Sequence, residues 1–150
     1  MFLPVQPAWG FDIVIKRLLR YKVILPSNES HKENPMAFKE SETKQIDWIM
    51  QKFWYKNRPP EHARHQVDLS YEINNQAVEI FLLRAFWRDP SQTVREPIVK
   101  STYVKKSGKW KIYWQRADMR WHLYEPYPEA VDLETVLQVV EEDPYGCFWG

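Results

Sequence analysis

Apolar and polar residues follow two different periods along this chain. From Ser41 to Tyr55, the residues Ile46, Ile49 or Met50, and Phe53 recur at helical spacing and predict a helix with one buried stripe. Ser41 supplies an N-cap oxygen at its start. Asn57-Arg58-Pro59-Pro60 ends it, because proline lacks the N–H and restricts the residue before it. The period then drops to two. Val67, Leu69, Tyr71 and Ile73 alternate with Asp68, Ser70, Glu72 and Asn74, as in a half-exposed strand. Asn74-Asn75 tolerates left-handed backbone and suits a tight hairpin.

Ala77 to Trp87 is nearly continuous apolar sequence, which predicts a central strand covered on both faces. Asp89 to Glu96, bounded by Pro90 and Pro97, reads as a loop. Ile98–Lys105 and Lys109–Gln115 form the next hairpin, turning at Ser107-Gly108. A turn at Ala117-Asp118 leads into Met119–Glu125. The last element is a helix capped by Asp132 that buries Leu133, Val136, Leu137 and Val140. Short turns between consecutive strands imply a meander, so the expected fold is α+β: an antiparallel sheet of about five strands flanked by an N-terminal and a C-terminal helix.

The pattern before this domain is different. Residues 1–35 carry net charge +2 and residues 36–150 net −1, and the boundary is set at Pro35/Met36. Asp12 can cap a short helix with Phe11, Val14, Ile15, Leu18 and Leu19 on one side and Lys16, Arg17 and Arg20 on the other. Pro26 to Pro35 is polar and reads as linker. A basic amphipathic helix can touch a membrane or a partner, but a docked or poorly ordered extension is the preferred expectation. A third reading, left open beside these, is that Met36-Ala-Phe, which resembles a bacterial translation start, begins the native protein and residues 1–35 precede it.

Composition narrows the function classes. The 150 residues are 44% hydrophobic and 15% aromatic, enough for a packed core, and the formal net charge is +1. That balance gives no global field for nucleic acid, while leaving room for a local basic patch. The single cysteine, Cys147, allows no internal disulfide. No apolar run reaches the about 18 residues of a membrane span, so no membrane is expected, and cytoplasmic location is the default.

Six further segments, in order, carry a resemblance. They are Arg58-Pro59-Pro60; Trp87-Arg88-Asp89-Pro90; Pro97-Ile98-Val99-Lys100; Gly108-Lys109-Trp110 with Tyr113-Trp114-Gln115-Arg116; Arg120-Trp121-His122-Leu123-Tyr124; and Asp143-Pro144-Tyr145-Gly146-Cys147-Phe148-Trp149-Gly150. With them, residues 36–150 resemble a bacterial family known as domain of unknown function 3024. The resemblance implies a small single-domain cytoplasmic protein, and it brings no site residues and no activity. A small protein with an extra N-terminal extension would also suit a mobile gene cassette such as those of integrons.

The candidate chemistry is sparse. His62 and His65 are three apart but lack the converging ligands that zinc needs, so no metal and no cofactor is expected. No Gly-x-Ser-x-Gly elbow and no phosphate loop occurs among four glycines. Asp68 and Glu72 share a strand's polar face with Ser70, and Glu79 lies across the hairpin. Such carboxylates can hold Mg²⁺ for a metal-dependent phosphodiesterase or nuclease, with Lys100 or Lys111 assisting, although a strand's solvent face is more often merely charged.

The arginines set among aromatics form the stronger pattern. Arg84 and Arg88 are expected on one face with Ile80, Leu82 and Phe86. Arg116 shares a face with Trp110, Ile112 and Trp114, and Arg120 shares one with His122 and Tyr124. Aromatics stack bases and arginines meet phosphates in readers of single strands. The same pairs also serve packing, since guanidinium stacks on indole. The expected binding residues are Arg88, Trp114, Arg116, Arg120, Trp121 and His122, in a non-enzymatic module for nucleic acid or a protein partner. An exposed edge strand would allow a homodimer.

Overall fold

The computed structural model describes residues 36–150, so the readings made for residues 1–35 lie outside the described residues. Helix α1 spans Glu40–Asn57 and buries Ile46, Met50, Phe53 and Trp54, the stripe expected from the period. It begins earlier than Ser41. Lys39 is the N-cap, and its backbone N–H donates to the Glu42 carboxylate at 2.7 Å. A lysine side chain cannot accept a hydrogen bond, so the acidic residue of the first turn supplies the cap instead. Arg58 follows in extended backbone before Pro59, and a short 3₁₀ turn covers Glu61–Ala63.

The sheet is antiparallel, ordered β1 (Val67–Asn74), β2 (Ala77–Phe86), β3 (Asp89–Val104), β4 (Lys109–Gln115) and β5 (Trp121–Leu123). A sixth strand that the pattern did not announce, β6 (Glu129–Ala130), pairs with β4 beyond the reach of β5. Helix α2 (Leu133–Glu142) begins at Asp132, whose carboxylate accepts from the Thr135 N–H at 2.8 Å. Its buried residues are Leu133, Val136, Leu137 and Val140, as the sequence predicts. None of the helices among the described residues is long and apolar enough to cross a membrane.

The region expected as a loop, Asp89–Glu96, is strand instead. β2 and β3 are joined by the two-residue turn Trp87-Arg88, because Phe86 pairs directly with Asp89. Two register shifts absorb the prolines. Ala85 faces Thr93, so Pro90 to Gln92 drop out of the ladder, and Phe81 faces Pro97 while Ile80 faces Val99. Proline has no N–H for a ladder, and a bulge is where a sheet tolerates it.

Both helices pack on one face. The indole N–H of Trp54 donates to the Leu69 carbonyl at 2.6 Å, and the Tyr71 hydroxyl donates to the Asp47 carboxylate at 2.6 Å, locking α1 onto β1. Leu69, Tyr71, Val78, Ile80, Val99, Trp110 and Ile112 form the core with the helices. Alternation sends the intervening residues to the other face, which no helix among the described residues covers. The expectation that β2 is buried on both faces therefore holds only locally. Phe81 is 1% exposed but lies outside the core cluster.

Candidate binding face of the sheet

The register assembles a row of side chains across the uncovered face. Glu72 pairs with Glu79, Glu79 with Lys100, Lys100 with Tyr113, and Tyr113 with Leu123. On either side of that row lie Lys111, opposite Thr102, and Trp121, opposite Gln115. The face thus changes character from one edge to the other. Acidic residues occupy β1 and β2, while lysines and aromatics occupy β3 to β5.

The acidic side is closed on itself. Arg95 donates to Glu72 Oε2 at 2.7 Å and approaches Glu79 Oε1 at 2.9 Å. Its guanidinium lies 3.6 Å from the Phe81 ring centroid. Burial disfavours the Arg95 charge, but the hydrogen bonds and the two carboxylates outweigh it and hold the group more firmly protonated. Asp68 is not on a solvent-facing strip either. It is 2% exposed and is engaged by Arg58 through Nε at 2.8 Å and Nη2 at 2.7 Å. Arg58 also stacks over Trp54 at 4.4 Å. The proposed metal carboxylates Asp68, Glu72 and Glu79 therefore each have an arginine partner. Among the described residues, no three His, Cys, Asp or Glu side chains gather as a metal site. His62 and His65 are exposed on the 3₁₀ turn and the residues after it.

The basic side is open. Among the described residues, Lys100 and Lys111 have no ion-pair partner, and the Tyr113 and Trp121 side chains have neither a ring contact nor a hydrogen bond. Both aromatics are half-buried, with one surface supported by the sheet.

The six arginine and aromatic residues named from the sequence do not form one surface. Trp121 alone is on the open face. Trp114 and His122 are cross-strand partners on the helix-covered face. Arg116 stacks over Trp114 at 5.2 Å. Arg88 sits in the β2–β3 turn, stacked on its neighbour Trp87 at 4.6 Å, and the expected common face of Arg84 and Arg88 is broken by that turn. Arg84 instead pairs with Glu96. In the β4–β5 turn, Asp118 accepts from the Arg120 N–H at 2.9 Å and meets His122 Nε2 at 2.8 Å. These two bonds hold the exposed Asp118 carboxyl below its ordinary range. The Arg120 side chain is left exposed beside this turn.

Tyr113, which the sequence reading does not name among the binding residues, and Lys100 and Lys111, which it assigns to assist a metal site, share the open face. The signal was present in β4, where Lys111, Tyr113 and Gln115 alternate with the core residues Trp110, Ile112 and Trp114.

Comparison with curated proteins and with solved structures gives no match. Residues 38–150 match the family described as Domain of unknown function (DUF3024), and the chain belongs to that family.

Proposed function

We propose that this protein is a non-enzymatic binding module for single-stranded nucleic acid, which it takes on the open face of β3 to β5. The observation that carries this reading is the pairing of two sheet-supported aromatics, Tyr113 and Trp121, with the cations Lys100 and Lys111, all four without ring or ion-pair partners among the described residues. Bases stack on such rings whatever their sequence, and lysines follow the phosphates. Sheet readers of single-stranded RNA use the same division, with helices behind the sheet and aromatics in front. A duplex keeps its bases stacked inside, so it offers these rings nothing.

The test is the affinity of the full chain for labelled single-stranded RNA, single-stranded DNA and duplex DNA over a salt series. The reading expects single strands to be preferred. It also expects log affinity to fall with log salt at a slope of roughly −1.4, as about two phosphate contacts at ~0.7 each would give. Equal affinity for duplex, or binding indifferent to salt, would reject it.

A further inference from the structure

On the other side of the molecule, α1 and α2 leave a groove of about 240 Å³ floored by Ile49, Phe53 and Leu137. Trp48 stands on its rim, 58% exposed, with the Lys52 ammonium 3.3 Å from its ring centroid. The two walls differ in charge. Lys52 and Lys56 line the α1 side, and Glu134 and Glu141 line the α2 side. Lys56 and Glu141 close one end within the chain at 2.7 Å. Among the described residues, Lys52 has no carboxylate partner and Glu134 has no ion-pair partner.

We propose that this groove is the interface between two copies of the chain. An isologous interface must carry both a knob and a hole, and both signs of charge, on the same patch. This patch does: an exposed indole beside an apolar groove, with a basic wall opposite an acidic one. A two-fold axis running along the groove exchanges the walls. It sets α1 of one copy against α2 of the other, seats each Trp48 in the facing groove, and brings Lys52 toward Glu134 of the partner subunit. Tryptophan at the centre of a desolvated patch is the residue that most often dominates such contacts. The open sheet faces point away from this interface, so the dimer displays two of them and gains from their linkage when a strand spans both.

Sedimentation of the full chain across micromolar concentrations reads this out. The expected mass is twice 18.2 kDa. Trp48→Arg should weaken association by about thirtyfold or more, as loss of a central anchor does, with the circular dichroism spectrum unchanged because the side chain is exposed. Lys52→Glu should also weaken it, and Lys52→Glu with Glu134→Lys should restore it. A wild-type chain that stays monomeric would overturn the proposal. So would a Trp48→Arg variant that remains dimeric, or a double reversal that fails to restore the dimer. Oligonucleotide binding by a monomeric variant keeps this test separate from that of the sheet face.

Discussion

The guanidinium of Arg95 covers the ring of Phe81 at 3.6 Å and at the same time holds apart two glutamates, Glu72 and Glu79, that face each other across β1 and β2. One side chain thus seals an aromatic on a face that no helix among the described residues covers, and neutralises a like-charge cross-strand pair, which alone is destabilising. Arg95→Met should keep much of the apolar cover and lose the charge. A loss of about 2 kcal/mol is expected in denaturant unfolding, the scale of hydrogen bonds to charged groups. Adding Glu72→Gln should recover part of it, since the repulsion is then gone. A double variant as unstable as the single would contradict this account.

Arg58 and Asp68 form a buried two-pronged pair, and removing one partner leaves an uncompensated charge. Asp68→Ala should destabilise by about 3–5 kcal/mol, well beyond a surface pair. Arg58→Ala with Asp68→Ala should be less damaging than the sum of the two single changes. Additive losses in chemical denaturation would mean that the residues act separately.

The C-terminal tail is held by one carboxylate. Asp143, itself in left-handed backbone at φ 33°, accepts from the N–H groups of Cys147 at 2.8 Å, Phe148 at 3.2 Å and Trp149 at 2.8 Å. Phe148 is buried against Tyr124, with ring centroids 4.8 Å apart, and the Trp149 indole donates to the Val140 carbonyl at 2.8 Å. Deleting Phe148 to Gly150 should cost about 3–5 kcal/mol, as truncating a large buried aromatic does. Asp143→Asn should be tolerated better than Asp143→Ala, because asparagine accepts hydrogen bonds and tolerates the left-handed region. Thermal melts of the three variants decide this, and a deletion that leaves the melting temperature unchanged would refute it.

Acid should loosen the helix layer. Burial pushes the Glu141 carboxyl up, but hydrogen bonds from Lys56 and Asn57 outweigh it and hold it below its ordinary value of 4.5. Asp132, bonded to Thr135, lies below its ordinary 3.8 for the same kind of reason. Both are lowered in the folded chain, so the stability they contribute is complete above the ordinary values and is lost as pH falls through the lowered ones. The melting temperature should be flat above about pH 5 on this account and decline below pH 4.5, less steeply in Glu141→Gln. An equally steep decline in that variant would remove Glu141 from the explanation.

How far the sequence discloses this molecule depends on whether a feature is local. The alternation in β1 and the Asp132-capped stripe of α2 are set by nearest neighbours and appear as expected. The length of β3 does not, because register shifts opposite β2 rescue two prolines that locally signal a loop. The burial of Asp68 depends on Arg58 arriving from the end of α1, and β6 is too short to show a period. The candidate site was half legible. Trp121 was named, but Trp114 and Arg116 lie on the covered side. Only the register of three strands brings Lys100, Tyr113 and Trp121 onto one face.

That division sets the most direct measurement of the central claim. Single-stranded oligonucleotide binding should be compared at fixed low salt for the wild type, Tyr113→Leu, Trp121→Leu and Trp114→Leu. Each open-face change should weaken binding by roughly 1–3 kcal/mol, the scale of one lost base stack. Trp114→Leu should alter stability while leaving affinity of the folded protein unchanged. Loss of binding in Trp114→Leu with Tyr113→Leu and Trp121→Leu unaffected would place the interface on the other side and contradict the account.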